Sequence, residues 1–258
     1  MKTGKLLAIC FFILFSGVLS YAQEIKTIHV KVALCDNKYQ GIVKVPKGIG
    51  NGQDANNNLY WGCGYGIRTF FKKKPEWKEV KRYPANGICL ERIVFKHITK
   101  PYYLVADAYD GKYIKQCTVD FLNACSGIKK DSLKLDENIS IGIEGCAKLV
   151  AYIGHNGLMD FTLTHSKFTN TDGQKRDAII LACASKQYFS TFLKSANANP
   201  LVWTTNLMCP EAYTLYDAVK SYINGDSASK IRENAASAYS QYQKCSLGAA
   251  KKLLVTGW

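Results

Sequence analysis

Residues 148–185, KLVAYIGHNGLMDFTLTHSKFTNTDGQKRDAIILACAS, decide the predicted fold. This stretch contains two short apolar runs, LVAYI and AIILA, which are typical of strands buried on both faces of a parallel sheet. His155 follows closely after the first run, and Cys183 comes directly after the second. Because the carboxyl ends of parallel strands meet at one edge of a sheet, we expect both side chains at that edge.

The rest of the chain alternates between predicted strands and helices. Strands are predicted at 28–35, 102–108 and 200–208, an edge strand at 77–84, and either a strand or a helix at 88–96. Helices are predicted at 59–72, 112–125, 186–196, 211–224 and 228–247, whereas 128–147 are polar and predicted to be irregular. This order favours an α/β fold: a three-layer sandwich whose mainly parallel sheet is flanked by helices.

The first residues have the pattern of a secretory signal peptide. Lys2 and Lys5 precede an apolar run at 6–19, and the small residues Ser20 and Ala22 follow it. An uncleaved membrane anchor is the alternative, although the run is shorter than a membrane span requires. We therefore predict a signal peptide at 1–22, a single α/β domain at 23–258, and a secreted or periplasmic protein with no transmembrane segment after cleavage.

The chain is basic, with 34 Lys and Arg against 20 Asp and Glu and a formal net charge of +14. Without the two lysines of the signal segment, 32 basic residues face the same 20 acidic ones, which leaves +12. Such an excess suits attraction to anionic polymers. However, the lysines are spread along the chain and accompany no recognisable nucleic-acid module, so no nucleic-acid partner is expected.

Nine of the ten cysteines lie beyond the predicted signal peptide. Nine is an odd number, so at least one thiol is predicted to be unpaired or to pair between chains. Several of these cysteines lie within apolar strand or helix patterns, where a free cysteine behaves as a small hydrophobic residue. The spacing contains no C-x-x-C or paired His and Cys motif, so neither a metal site nor a cofactor is predicted.

His155 and Cys183 are the residue types of a thiol and base dyad. A thiol peptidase needs a thiolate, a base that exchanges a proton with it, and donors for the oxyanion of the tetrahedral intermediate. The start of the helix after Cys183 would favour the thiolate, and imidazole is the natural base near neutral pH. The backbone N–H groups of Gly157 and Cys183 are the predicted oxyanion donors, and His165 is the rival base.

The two segments that carry this pair, YIGHNG at 152–157 and ILACAS at 180–185, resemble those of the caspase-like cysteine peptidases. That superfamily includes caspases, metacaspases, gingipains, clostripain and separases. The resemblance covers the predicted sheet from 28 to 208. It implies a caspase-like α/β sandwich, with His155 as the base and Cys183 as the nucleophile, in a bacterial exported member that acts on a peptide or protein substrate.

Several polar residues at strand ends are candidates for substrate binding. Asp36, Asp107 and Asp110 lie at or just beyond the ends of predicted strands and are predicted to form an acidic pocket for Lys or Arg. The alternative for each is to cap a turn. By analogy with the family, Thr204 and Thr205 are expected to border the substrate groove.

Three functional hypotheses follow. The first is an exported cysteine endopeptidase that uses the dyad, with a preference for Lys or Arg. The second is a catalytically inactive caspase-like module that serves as a binding domain of the cell envelope, because Asn156 interrupts the family's usual His-Gly pair. The third is an unrelated doubly wound domain that binds a small anionic ligand through the loop of Gly48, Gly50 and Gly52.

Overall fold

A mixed sheet of eight strands runs through the computed structural model, which describes residues 24–258. The strands are β1 (Lys26–Ala33), β2 (Trp77–Tyr83), β3 (Cys89–His97), β4 (Tyr102–Tyr109), β5 (Lys130–Lys134), β6 (Ser140–Glu144), β7 (Leu149–Ile153), β8 (Asp177–Leu181), β9 (Asn199–Thr204) and β10 (Leu254–Val255). The helices are α1 (Ile67–Lys72), α2 (Ile114–Ser126), α3 (Ser185–Ser195), α4 (Ala212–Ile223), α5 (Ala228–Gln243) and α6 (Leu247–Leu253).

The sheet has a parallel centre with antiparallel edges. Its order is β10-β9-β8-β7-β1-β4-β3-β2, and β5 and β6 form a separate two-stranded sheet. β9, β8, β7, β1 and β4 are parallel, while β3 and β2 continue one edge and β10 the other in antiparallel pairing. The mainly parallel sheet predicted from the sequence is therefore confirmed.

Helices cover both faces of this sheet, as the side chains of β7 illustrate. Leu149, Ala151 and Ile153 pack into the core on the side of α1, α4 and α5. Val150 and Tyr152 point to the opposite side and pack with residues of α2 and α3. Because successive side chains of a strand alternate between faces, an entirely apolar strand is buried on both sides. The predicted three-layer α/β sandwich is confirmed.

Most predicted elements are present, and the differences have local causes. The segment predicted as one helix at 59–72 is helical only in α1, because the chain before it forms turns around Asn58, whose side chain bonds both the N–H and the carbonyl of Cys35. The helix predicted at 228–247 is instead two helices. Lys244, at φ 55°, ends α5, and the Ser246 side chain caps α6 through the Ala249 N–H.

Residues 128–147 contain a β-hairpin rather than irregular chain. β5 and β6 pair antiparallel, and Ile141 and Ile143 of β6 pack against Val94 and Val105 of the main sheet. The outer strand β5 is mostly exposed and polar, which hides its alternation in the sequence. The hairpin covers one side of the sheet next to α2.

Three other expectations from the sequence concern the signal peptide, membrane spans and the cysteines. The predicted signal peptide at 1–22 lies outside the described residues. Between residues 24 and 258, no helix is both long enough and apolar enough to cross a membrane. All nine cysteines in this part of the chain are free of disulfide bonds.

Candidate active site

His155 and Cys183 lie at the same edge of the sheet. β7 and β8 are parallel neighbours, and Ile153 pairs with Leu181, so each reactive residue follows its strand by the same two residues. Both side chains line one cavity of about 540 Å³. The sequence prediction that a base and a thiol share the carboxyl edge of a parallel sheet therefore agrees with the geometry.

A glycine sets the direction of the chain before His155. Gly154 has φ 141°, a left-handed conformation that favours glycine. A Cβ at this position would lie 2.6 Å from the carbonyl oxygen of Ala33 on β1, which is too close for any side chain. The chain can thus leave β7 in a tight turn against β1, and the turn carries His155 to the wall of the cavity.

Asn156 connects the two strand ends that hold the reactive residues. Its Nδ2 donates to the carbonyl oxygen of Cys183 at 2.7 Å, and its Oδ1 accepts from the Leu158 N–H at 3.1 Å. The Asn156 side chain is fully buried, so these bonds are shielded from competition with water. Asn156 therefore links the turn after β7 to the turn after β8.

Asp160 is a site residue that the sequence patterns did not indicate. Its Oδ2 lies 2.8 Å from Nε2 of His155, whose side chain is only 6% exposed. The same oxygen accepts from the Gly41 N–H at 3.0 Å, and a Cβ on Gly41 would lie 2.4 Å from Oδ1. A carboxylate bonded to one ring nitrogen fixes the orientation of an imidazole and leaves the other nitrogen, Nδ1, available for proton exchange.

Cys183 is held between the end of β8 and the start of α3. Its Sγ accepts from the Met208 N–H at 3.3 Å and lies 3.6 Å from the Met208 carbonyl oxygen. The next residue, Ala184, has φ 47°, which is costly for a residue with a Cβ and marks a constrained turn. The thiol is therefore presented on a sharp strand-to-helix turn, partly exposed to the cavity.

The two predicted oxyanion donors have different surroundings. Within residues 24–258 the Cys183 N–H has no hydrogen-bond acceptor, and Cys183 lines the cavity. Gly157 does not line the cavity. It packs against the Phe161 ring instead, because a Cβ at this position would lie 2.7 Å from a ring carbon. Of these two predicted donors, only the Cys183 N–H is thus in a position to donate to an oxyanion beside the thiol.

Asp36 and Asp110 cap turns, which is the role that the sequence left open for both as the alternative to substrate binding. Asp36 accepts from the N–H groups of Lys38 and Tyr39, and Asp110 from the N–H of Lys112. Neither aspartate lines the cavity. The acidic pocket expected from these residues is therefore not formed by them.

The two threonines expected at the substrate groove have structural contacts instead. Thr204 is fully buried, where its Oγ1 bonds the N–H of Ser185 at 3.0 Å and also the Ala182 carbonyl. Thr205 is exposed and donates to the Lys252 carbonyl at 2.8 Å. Thr204 supports the turn that carries Cys183, but neither threonine lines the cavity.

Asp107 belongs to a buried ionic cluster that we call the β1 cluster: His29, Lys31, Arg92, Asp107 and Glu144. Lys31 lies 3.1 Å from Asp107 and 2.7 Å from Glu144, and Arg92 and His29 also bond Asp107. Burial alone would raise the pKa of Asp107, but the surrounding positive groups hold it well below its usual range. This carboxylate is therefore fully paired and cannot receive a substrate side chain.

The β1 cluster contains ligand atoms of His29, Asp107 and Glu144 within 4.8 Å of one another, a spacing that a metal ion could use. However, the ammonium group of Lys31 lies among these atoms and bonds both carboxylates. A second cation in the same place would be repelled by Lys31. The cluster is accordingly a salt-bridge network rather than a metal centre.

Of the four histidines in the sequence, only His155 lines the cavity. His165, the rival base, is exposed in a short 3₁₀ turn. His97 packs edge-on against Trp77, and His29 is in the β1 cluster. Of the two histidines that the sequence offered as a base, only His155 therefore lies at the cavity.

In the loop of Gly48, Gly50 and Gly52, the last two glycines pack against the chain, whereas Gly48 borders open space. A Cβ on Gly50 would lie 2.3 Å from the Asn37 side chain, and one on Gly52 would lie 2.3 Å from a carboxylate oxygen of Asp36. An anion at Gly52 would meet the Asp36 carboxylate. This arrangement disfavours the hypothesis of an anion-binding loop.

The cavity wall is largely apolar and carries a single acidic side chain. Tyr60, Met208, Pro210 and Tyr239 are among the apolar lining residues, and Glu211 is the carboxylate.

Comparisons of this chain with protein-family models, with curated proteins and with solved structures find no match. The chemistry of the site must therefore be argued from its own residues.

Proposed function

We propose that this protein is an exported, caspase-like cysteine endopeptidase in which Cys183 is the nucleophile and His155 the base. The observation that carries the proposal is that both residues line one cavity at the carboxyl edge of adjacent parallel strands. Open α/β sheets place their sites at this edge. The proposal of export rests on the signal pattern at 1–22.

The proposed reaction follows from the positions of the donors and acceptors. His155 takes the thiol proton, and Sγ of Cys183 attacks the carbonyl carbon of the scissile peptide bond. The unpaired Cys183 N–H stabilises the oxyanion, and His155 returns the proton to the leaving amine. Water activated by His155 then attacks the thioester, which releases the acid product and restores the thiol.

Asp160 and Asn156 have supporting roles in this proposal. Asp160 bonds Nε2 of His155 and would stabilise the imidazolium that forms when the thiol loses its proton. Asn156 bonds the carbonyl of Cys183 and holds the two turns together. Both are positioning residues, because they contact the dyad and not the reacting bond.

Alkylation of the thiols by iodoacetamide tests the dyad directly. Cys146 and Cys209 are more exposed than Cys183 and provide internal reference thiols. With the dyad intact, Cys183 should react at least about tenfold faster than Cys146, because a thiolate and not a thiol is the nucleophile. Peptide mapping by mass spectrometry gives the separate rates.

Two substitutions complete this test. His155→Ala should lower the alkylation rate of Cys183 toward that of Cys146, and the matched change at the exposed His165, His165→Ala, should leave it unchanged. If Cys183 reacts no faster than Cys146 in the unmodified protein, the dyad is not competent. The inactive binding module would then be the better description.

A further inference from the structure

Glu211 is an acidic side chain in the cavity that also contains Cys183. It occupies the N-cap position of α4, yet its side chain does not cap the helix. Instead, its Oε2 accepts from the Tyr213 hydroxyl at 3.0 Å and from Nε2 of Gln243 at 3.2 Å. The carboxylate is thus held by two neutral donors, one on α4 and one on α5.

No basic side chain in the described part of the chain forms a salt bridge with Glu211, in contrast to Asp107 in the β1 cluster. Burial raises the pKa of Glu211, which reflects a carboxylate whose charge its neighbours do not neutralise. A partly buried charge without a counterion gains free energy when a ligand supplies one. The missing counterion is therefore expected to come from a bound molecule.

The walls around Glu211 fit the rest of a basic side chain. Tyr60, Met208 and Pro210 contribute apolar surface to the cavity that the thiol and the carboxylate share. Lysine and arginine have long aliphatic stems that pack on apolar surface while the charged end finds a polar partner. A cavity with apolar walls and one carboxylate can therefore bind both the aliphatic stem and the charged end of such a side chain.

We infer that Glu211 selects substrates with Lys or Arg on the acyl side of the cleaved bond by receiving the ammonium or guanidinium group. This inference rests on the proposed peptidase function and names the substrate class of the same site. It replaces the acidic pocket expected from Asp36, Asp107 and Asp110. Glu211 is the specificity residue, and it takes no part in the bond-breaking step.

Lys44 is the charge that opposes this assignment, because it also lines the cavity. Its side chain is exposed, on the loop that follows Gly41, whereas Glu211 is partly buried. Solvent and salt screen an exposed charge more strongly than a partly buried one. The repulsion of a bound cation by Lys44 is therefore weaker than its attraction by the Glu211 carboxylate.

Three peptidyl acyloxymethyl ketones that differ only in the residue next to the reactive ketone test the assignment. The residues are lysine, its neutral analogue norleucine, and glutamate. Labelling of Cys183, followed by mass spectrometry of the intact protein, should be at least about tenfold faster with lysine than with norleucine, and slowest with glutamate. Glu211→Gln should lower the lysine rate to that of norleucine, while the norleucine rate changes less than about twofold.

Glu137→Gln is the matched control, because Glu137 is exposed outside the cavity and the substitution removes the same charge. It should change none of the three rates. If norleucine or glutamate labels Cys183 as fast as lysine does, the inference about Glu211 is overturned while the peptidase proposal stands.

Binding without catalysis separates the two proposals. In Cys183→Ala, a lysine-containing peptide amide should bind at least about tenfold more tightly than its norleucine counterpart by calorimetry, and Glu211→Gln should abolish the difference. If no ketone labels Cys183 but this difference is present, the peptidase proposal fails and Glu211 is a binding residue for basic peptides. Equal affinities of the two peptides overturn the inference.

Discussion

Asp160 shows how one carboxylate oxygen can link a histidine of the cavity to a loop that is distant in the sequence. One carboxylate oxygen bonds both His155 and the backbone of Gly41, so the orientation of the imidazole depends on a loop more than a hundred positions earlier in the chain. A Cβ at Gly41 would lie 2.4 Å from Asp160 Oδ1 and would displace this carboxylate. The loop and the base are therefore positioned together.

Asp160→Asn tests this positioning role. The amide keeps the size of the side chain and can still accept from Gly41, but it cannot stabilise a positively charged imidazole. We expect kcat on a lysine peptide substrate to fall by about tenfold or more, with KM changed less than about twofold, because general-base catalysis and not binding is impaired.

The exposed Asp131 of β5 provides the control, and Asp131→Asn should leave both constants unchanged. A rise of KM alone in Asp160→Asn would instead show that Asp160 contributes to the shape of the cavity and not to the state of His155.

The sequence predicts His155 and Cys183 because each follows an apolar run, and parallel strands necessarily end at the same edge. Asp160 and Glu211 follow no such rule. Their roles depend on where irregular loops fold back on the sheet, and each is one acidic residue among 20 in the sequence. The aspartates that the strand ends did indicate, Asp36 and Asp110, are used to cap turns.

Among the elements, β1 has an unusual composition for a central strand. It places His29 and Lys31 on the face covered by the β5–β6 hairpin, where both side chains are fully buried. Asp107 of β4 and Glu144 of β6 bond Lys31, and Arg92 of β3 bonds Asp107, so the cluster joins four strands. Removing one partner from such a cluster would leave an uncompensated buried charge, which is strongly destabilising.

The stability of the protein should depend on pH through the β1 cluster. Burial, assisted by the charge of Lys31, lowers the pKa of His29, so the folded protein binds fewer protons here than the unfolded chain does. This contribution to stability is complete above the unfolded value of about 6.5 and is lost as the pH falls below it. We expect the free energy of unfolding, from urea titrations, to decrease by roughly 1 kcal/mol from His29 between about pH 7.5 and 5.5.

His29→Gln should remove this part of the pH dependence. His97 also has a lowered pKa, caused by burial and by Lys100, so a smaller dependence of the same sign should remain. An equal change in the substituted and unmodified proteins over this interval would contradict the account. Asp107 adds a second loss at lower pH, since its pKa is depressed below the unfolded value of about 4.

Elements with strong periodicity were predictable, and those without it were not. β4, β7 and β8 are mostly apolar and β1 is rich in β-branched residues, and the positions of all four agree with prediction to within two residues. The β5–β6 hairpin was missed because only Ile141 and Ile143 of β6 are fully buried apolar residues, too few for a pattern. The turns before α1 depend on hydrogen bonds from the Asn58 side chain to the backbone of Cys35, just after β1. No local sequence pattern indicates bonds between residues so far apart in the chain.

At the scale of the whole molecule, the sheet brings together residues from distant parts of the chain. The cavity wall combines the loop after Gly41, the turns after β7 and β8, and the segment from Leu207 to Glu211 after β9. All of these loops follow the carboxyl ends of parallel strands or continue from them. A peptide that enters the cavity would therefore contact both the loop after β1 and the loop after β9.

The two edges of the sheet are protected against other chains in different ways. An unpaired edge strand offers its backbone groups to any extended segment and so promotes aggregation. β2, at one edge, has Lys78, Lys81 and Arg82, whose charges discourage such pairing. At the other edge, the two residues of β10 pair with Trp203 and Thr204 of β9, and Trp258 packs on Trp203 with ring centroids 5.4 Å apart.

Solubility should consequently depend on a very small part of the chain. Deletion of 254–258 would uncover β9 and leave an apolar strand, next to the one that leads to Cys183, as a template for another molecule. We expect concentration-dependent oligomers in sedimentation velocity experiments with this variant, whereas a deletion of residue 258 alone, which keeps β10, should sediment like the full chain. Identical sedimentation of the longer deletion would show that β10 does not protect the edge.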